Sequence, residues 1–298
     1  MYSLNDLFLK SQWRMIHGDN LGNMRLLPTA SIGLVYMDPP FCTGKDFGAF
    51  DDRWEWSDDL WETIDGPVYA AILFFCTRLG KGPELAYLVH LAQRFVEMER
   101  VAKSTSNIVV HVDERLSHYV RLLLDASLPR HKWSGSIVWR YRRWPAPAKR
   151  FQHMHDVLLH YAGQSATFNE LRLDGVSEST KSTFGTKKQR AVVNDGHRRT
   201  STTNENTDGP PLSDVWDLPI VAPSGHERKR GEGYPTQKSE ALLDRVILAL
   251  SKPGDVVLDP NAGSGTSGVC SIKHGRKWIG IDSSQVAVDV TSRRLRCV

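Results

Sequence analysis

The chain holds 298 residues, of which 40% are hydrophobic and 24% charged, the proportions of a globular protein with room for a substantial core. A formal net charge of +4 is too mild to indicate a nucleic-acid partner by composition alone. The cysteines Cys42, Cys76, Cys270 and Cys297 lack metal-ligand spacing and are too scattered for a disulfide framework, and no apolar run reaches bilayer length, so the expectation is a reducing, cytoplasmic setting with no metal and no membrane.

In chain order, residues 13–17 read as a short strand and residues 32–37 as a fully apolar one, expected to be buried on both faces. Asp38-Pro39-Pro40-Phe41 closes that second strand. Pro39 has no N–H and biases Asp38 toward extended backbone, so the strand stops with the carboxylate held out. The carbonyl of Pro39, followed by another proline, has no local helical partner. It and Asp38 offer two acceptors, enough for both hydrogens of an exocyclic NH2, while Phe41 offers a face for stacking. The motif predicts a pocket for a flat, amine-bearing ring.

Residues 47–61, rich in aromatics and acids, predict a loop over that pocket. Residues 68–76 predict a buried segment of an insertion bounded by Gly66-Pro67 and Gly82-Pro83. Apolar spacing then predicts a helix over 85–103, a buried strand over 107–112, a helix over 114–126 ended by Pro129, and strands over 136–142 and 156–161. From 164 to 233 the pattern is lost among Ser, Thr, Asn, Gly and charged residues. That stretch is too long for a bare loop, and reads as a small recognition subdomain or a segment ordered on binding. A helix over 239–250 restarts the core, followed by a strand over 255–259, a glycine turn and a strand over 277–282. Strands alternating with helices predict an α/β sheet with helices on both faces, whose ligands bind outside the carboxyl ends of the strands. Asp38, Asp259 and Asp282 all fall at such ends.

Gly263-x-Gly265-x-x-Gly268 satisfies the dinucleotide fingerprint, and Asp282 falls about 20 residues on, where such sheets place a ribose-binding carboxylate. A nicotinamide dehydrogenase is therefore weighed. Asp259, at the mouth of the turn, would repel a pyrophosphate but favour the ammonium and sulfonium of S-adenosylmethionine. The 16 residues after Asp282 are too few to complete a sheet, so its remaining strands must come from the N-terminal part in permuted order. No Gly-Lys-Ser/Thr follows the glycines, which excludes a P-loop.

Two stretches are basic. Residues 181–204, with Lys187, Lys188 and Arg190, carry six Lys/Arg against one acid, and residues 139–151 interleave Arg140, Arg142, Arg143, Lys149 and Arg150 with aromatic rings. Such patches suit phosphate contacts and base stacking. The first is equally well a solvated charged loop. His153 and His155 alternate as on a strand and read as structural or phosphate-facing, not as metal ligands. Cys42 reads as a small packing residue.

Taken together, these motifs resemble the exocyclic-amino DNA methyltransferases of the permuted beta type, which act on adenine N6 or cytosine N4 and in which Asp-Pro-Pro-aromatic precedes the cofactor motif. Ile16-His17-Gly18-Asp19-Asn20 resembles that family's Gly-Asp element and Tyr234-Pro235-Thr236-Gln237-Lys238 its Pro-Thr-Gln-Lys element. Residues 138–144 and 149–156 are familiar from the same group, so the likeness covers most of the chain outside 166–233. It implies a Rossmann-like, circularly permuted methyltransferase sheet divided into a catalytic half (1–163), a target-recognition region (164–233) and a cofactor-binding half (234–298).

The resemblance further implies S-adenosylmethionine as cofactor and double-stranded DNA as partner, with a cognate restriction endonuclease and a homodimer as further partners in a bacterial, archaeal or phage setting. Asp38, Pro39, Pro40 and Phe41 would carry the chemistry on a base flipped out of the duplex. Asp19, Thr236, Gln237, Lys238, Asp259, Asn261, Gly263, Gly265, Thr266 and Asp282 would hold the cofactor, Asp19 at its adenine amine and Asp282 at its ribose. Within the family an acid before the prolines leans toward adenine; cytosine N4 is the alternative. Asn261 stands where the family usually has phenylalanine and Ser239 where it usually has a second proline. Those departures motivate a different class of reading, a DNA-binding protein of the same fold without turnover.

Overall fold

Apolar runs that cannot all face solvent pair edge to edge at the centre of this protein. The computed structural model describes residues 3–8, 11–144, 147, 149, 151–173, 181–183, 185–222, 224–230 and 232–298; Arg150, one of the basic residues named above, lies outside them. The strands are β1 (Trp13–His17), β2 (Ile32–Met37), β3 (Ala102–Val112), β4 (Lys132–Arg140), β5 (His155–Ala162), β6 (Lys187–Asn194), β7 (His197–Asn206), β8 (Val215–Asp217), β9 (Val256–Asp259) and β10 (Lys277–Asp282). Eight form one sheet in the order β1-β10-β9-β2-β3-β5-β4-β8. Every pairing in it is parallel except those of β5 with β3 and β4.

The late strands β9 and β10 sit between the early strands β1 and β2, the permuted order that the sequence required. Leu34 and Val35 of β2 pair with Val257 and Leu258 of β9, which sets the tips of the two strands side by side. On the other side Met37 pairs with Val110, so Asp38 and His111, one residue further along each strand, are neighbours. From the β9–β2 seam the chain runs outward both ways, to β10 and to β3, which makes the seam the switch point of the sheet.

The helices Gly66–Leu79, Pro83–Val101 and Glu114–Ser127 pack on one another, and Glu240–Leu250, Thr266–Lys273 and Gln285–Leu295 make a second group. Right-handed crossovers leaving the seam in opposite directions put the two groups on opposite faces. Helix Pro83–Val101 shows why the core closes: Leu85, Leu88, Leu91, Phe95 and Met98 recur at helical spacing and are fully buried. Among the described residues no helix is long and apolar enough to cross a membrane.

Two expectations are corrected, and a third stretch gains detail. Residues 68–76 are not buried as a block: they lie in helix Gly66–Leu79, which buries Val68, Ile72 and Phe75 and exposes Tyr69, Leu73 and Phe74, because only one stripe of a surface helix can face the core. The strand expected over 107–112 begins at Ala102, directly where the preceding helix ends. The stretch after residue 164 also holds regular structure. Residues Asn169–Ser213 form a compact unit of their own, with β6 and β7 as an antiparallel hairpin closed by the pair Asn194–His197. Its turn is Asp195-Gly196, both in the left-handed region at φ +50° and +76°, the backbone that a tight hairpin requires. Strand β8, beyond that unit, pairs in parallel with β4.

Candidate active site

Asp38 leaves the end of β2 into a half-buried position. Its Oδ2 is 2.7 Å from Lys238 Nζ, and its Oδ1 is buried with no hydrogen-bond partner. The Phe41 ring stands close by, its centroid 5.0 Å from Lys238 Nζ and 5.9 Å from the His111 ring. Cys42 follows with left-handed backbone at φ +57°. That turn is held by Asp52, buried at 1% exposure, whose carboxylate accepts from Cys42 N (2.9 Å), Thr43 N (2.8 Å), Thr43 Oγ1 (2.8 Å) and Trp54 Nε1 (2.9 Å). Burial pushes the Cys42 thiol up to about 12, which removes it as a nucleophile at neutral pH.

Behind Asp38 lies a polar network that sequence reasoning missed. His111, fully buried on β3, places Nδ1 3.0 Å from Tyr36 Oη and Nε2 3.3 Å from Asp156 Oδ2. Tyr141 donates to the other oxygen of Asp156 at 3.0 Å. Burial alone would raise the Asp156 carboxyl, but hydrogen bonding and charge from His111, with Lys238 and Tyr141, outweigh it and leave it at about 2. Asp156 is thus a fixed anion beneath the pocket. Burial keeps Tyr36 a phenol far above neutral pH.

The glycine turn lies across the seam. Asp259 at the tip of β9 accepts from Ser267 Oγ and from Asn261 N (3.1 Å), yet burial dominates and pushes its carboxyl up to about 7. Gly263 N donates to Asp282 Oδ2 at 2.8 Å and Ser284 N to Asp282 Oδ1 at 2.9 Å; burial raises that acid too. Gly263 and Gly265 have φ +53° and +71°, and a Cβ on Gly265 would lie 2.5 Å from Thr291 Cγ2. Thr266 Oγ1 donates to the Lys238 carbonyl at 3.1 Å, tying this turn to residues 236–238.

A second missed element latches the N-terminal part to the seam. Arg94, buried on the apolar stripe of its helix, donates to Asn20 Oδ1 and to Asp19 Oδ1, both at 2.6 Å. Asn20 in turn donates to the Pro260 carbonyl at 2.9 Å and to Asn261 Oδ1 at 3.2 Å. Asp19 also accepts from Gly22 N at 2.9 Å, capping helix Asn20–Leu26. Burial pulls the Arg94 guanidinium down to about 10, which leaves it cationic at neutral pH. The signal was available, since a charge at position 94 interrupts the stripe Leu91, Phe95, Met98.

One cavity of about 430 Å³ gathers these groups. Asp38, Pro39, Pro40, Phe41, Asp19, Thr236, Gln237, Lys238, Asp259, Asn261, Gly263, Thr266 and Asp282 all line it, as do Phe47, Phe50 and Trp54 of the aromatic loop; Gly265 sits one residue behind the lining. The basic residues lie elsewhere. Arg140 pairs with Asp217 on the neighbouring strand, Arg143 stacks on Tyr141 at 4.9 Å, and Arg142 and Lys149 are exposed. On the hairpin of the smaller unit, Lys187 donates to the Asn204 carbonyl at 2.9 Å, Lys188 faces Glu205 at 3.4 Å, and Arg190 is exposed. Among the described residues no group of three or more His, Cys, Asp or Glu is placed to hold a metal ion.

Comparison with known proteins decides what this cavity belongs to. The sequence model of the family described as DNA methylase matches residues 32–293, spanning both the Asp38 motif and the glycine turn. The chain belongs to the DNA methylase family. It is 30% identical over 284 residues to the DNA adenine methyltransferase YhdJ of Escherichia coli (strain K12), covering 94% of this chain and 82% of that protein. In fold it is similar to the PvuII DNA methyltransferase (cytosine-N4-specific), with a TM-score of 0.62, 16% identity and coverage of 95% and 86%. It is similar as well to the M1.HpyAVI–SAM complex, with a TM-score of 0.55, 18% identity and coverage of 95% and 98%. The fold is that of S-adenosylmethionine-dependent DNA methyltransferases, with the family's two motif regions meeting at one seam. A dehydrogenase reading of the glycines falls with this membership.

Proposed function

We propose that this DNA methylase transfers a methyl group from S-adenosylmethionine to the exocyclic amine of adenine in double-stranded DNA, with the base flipped into the pocket of Asp38 and Phe41. One observation carries the reading: the Asp38 motif and the Gly263 turn, more than 200 residues apart, line the same cavity at adjacent strand tips. The residues fit the cofactor. A turn at Gly263, where a Cβ would stand 3.4 Å from the Tyr234 ring, suits close ligand approach, and buried Asp259 beside it favours a cationic ligand over a pyrophosphate. Asp282, Thr236 and Gln237 complete the set that would hold it.

When bound, S-adenosylmethionine supplies an electrophilic methyl on a sulfonium centre. The protein's own contribution is to the amine. Its nitrogen is a poor nucleophile because the lone pair is delocalised into the ring. The Asp38 carboxylate would accept one of its N–H groups and the Pro39 carbonyl the other, which draws the nitrogen toward tetrahedral geometry. Phe41 replaces the stacking lost on flipping. The proton shed by the methylated amine passes to Asp38 or solvent, so no strong base is needed. Asp52 fixes the turn after Phe41, and Asp156 with His111 fixes the floor.

The exposed Arg142 and Lys149, with Arg140 and Arg143, suit the DNA backbone. Target reading is assigned to residues 164–233 and backbone contact there to Lys187, Lys188 and Arg190. Modification-sensitive sequencing of DNA from cells expressing the chain, beside Asp38→Ala, tests the whole reading. The expected result is N6-methyladenine at one short motif, abolished by Asp38→Ala with cofactor binding retained. Methylcytosine without methyladenine overturns the choice of base, and an active Asp38→Ala protein overturns the role of the acid. A cytoplasmic setting, a cognate endonuclease and a homodimer belong to the same proposal; light scattering checks the last.

A further inference from the structure

Lys238 stands in the sequence element that family resemblance gives to the cofactor, yet its side chain reaches to the other side of the seam. Its ammonium touches Asp38 Oδ2 at 2.7 Å and lies over the Phe41 face at 5.0 Å. Those are the two groups assigned above to the amine and the ring of the flipped base. Only 11% of the Lys238 side chain and 17% of the Asp38 side chain are exposed, so the contact is made inside the pocket and not at its rim.

A second observation lies in the segment that carries it. Among the described residues, three buried side-chain atoms lack a hydrogen-bond partner: Asp38 Oδ1, Gln237 Oε1 and Ser239 Oγ. One belongs to the acid that Lys238 grips and the other two to its immediate neighbours. Thr236, just before them, holds a left-handed backbone at φ +59°, a costly conformation for a β-branched residue. Strain and unmatched polar atoms gathered in one short segment suit a segment that exchanges partners.

We propose that Lys238 occupies the seat of the target amine in the free protein, and that its side chain leaves Asp38 and Phe41 when the base enters. The proposal rests on the function argued above. The main chain need not move, because Thr266 Oγ1 holds the Lys238 carbonyl at 3.1 Å; the flexible stem supplies the travel. Lys238 keeps the acid and the aromatic face paired while no DNA is present. It also filters: a base displaces the ammonium only if it returns N–H donors to Asp38, so a flipped ring without an amine at that edge leaves the acid unpaired.

The test uses the full chain without cofactor and a duplex that keeps the target adenine mapped by sequencing and carries 2-aminopurine stacked directly beside it, which brightens when that adenine leaves the stack. Its fluorescence is compared for the unchanged protein, K238M, K238Q and K238R. K238M and K238Q are expected to raise the signal about fivefold over the unchanged protein, by removing a competitor for the seat. K238R, which restores the charge, is expected to stay dim. Calorimetric affinity for S-adenosylmethionine is expected to change by less than about twofold in all three variants. Equal brightness in folded K238M or K238Q and the unchanged protein overturns the proposal. So does a loss of cofactor affinity of about tenfold or more, which would return Lys238 to the cofactor side. Failure of the proposed function shows separately, as absence of methylation by the unchanged protein.

Discussion

His111 Nδ1 lies 3.9 Å from Asp38 Oδ1, on the next strand of the sheet and completely shielded from solvent. The same ring reaches Tyr36 on one side and Asp156 on the other, so Asp38 rests on a floor spanning β2, β3 and β5. A floor of this kind limits where Asp38 can go, and positioning of that sort is worth a large factor in rate.

Loss of the floor is therefore expected to lower kcat more than it raises either KM. Asp156→Ala strips His111 and Tyr141 of their shared partner and is expected to destabilise the protein by about 3 kcal/mol, with Asp156→Asn costing less. Chemical denaturation and steady-state kinetics on both variants check this. Because the folded Asp156 carboxyl is held at about 2, below its unfolded value, its stabilisation is present above the unfolded value and fades as pH falls toward 2. Asp156→Asn is expected to flatten that part of the acid-denaturation profile; an unchanged profile would refute the coupling.

Asp259 carries the opposite sign. Its folded carboxyl, raised to about 7, keeps a proton that the unfolded chain gives up near pH 4, so stability falls as pH rises through that window. Asp259→Asn is expected to be the more stable protein above pH 7, by roughly 1–3 kcal/mol, and to lose that advantage near pH 4. A cationic cofactor favours the ionised acid, so affinity for S-adenosylmethionine is expected to climb with pH through about 7 in the natural protein and stay flat in the variant. Titration calorimetry on either side of neutrality reads both curves.

Gly265 meets two constraints at once, a φ of +71° and a Cβ position only 2.5 Å from Thr291 Cγ2. Gly265→Ala is expected to cost about 2–4 kcal/mol from backbone strain plus overpacking, and to abolish cofactor binding because the turn beside Gly263 must shift. Thermal melting with and without S-adenosylmethionine measures the two effects separately. A variant that melts normally and still gains stability from the cofactor would count against the turn as its seat.

Arg142 and Lys149 are exposed, whereas Arg140 is engaged by Asp217. Arg142→Ala and Lys149→Ala are each expected to weaken DNA binding on all sequences and to reduce the slope of log Kd against log salt by about one unit. Arg140→Ala is expected to do less, since its charge is already met in the free protein. Fluorescence anisotropy across a salt series distinguishes the three; identical slopes would remove these residues from the DNA path.

Much of this architecture was legible before any fold was known, because local physics writes it into short segments. A proline pair must end β2 and hold Asp38 extended, glycines at 263 and 265 must mark a left-handed turn, and the apolar stripe from Leu85 to Met98 must be a core helix. Where the reading slipped, the local signal was partial. The residues around 68–76 are apolar enough to look buried, but a surface helix hides one stripe of them. The hairpin of β6 and β7 announces itself only through Asp195-Gly196, because its exposed strands lack the alternation of a half-buried sheet.

The neighbours of the reactive groups were beyond such reading. His111 meets Asp38 because Met37 pairs with Val110, Asn20 meets Asn261 because β10 and β9 slip between β1 and β2, and Lys238 reaches Asp38 across 200 positions. Nothing in a short window encodes strand order or register; they emerge from the balance of the whole core. The sequence by itself determined which residue types end each strand and what they can bond, since backbone geometry and side-chain chemistry are local. Only the tertiary structure decided which of them stand together, since contact between distant positions depends on how every intervening element packs.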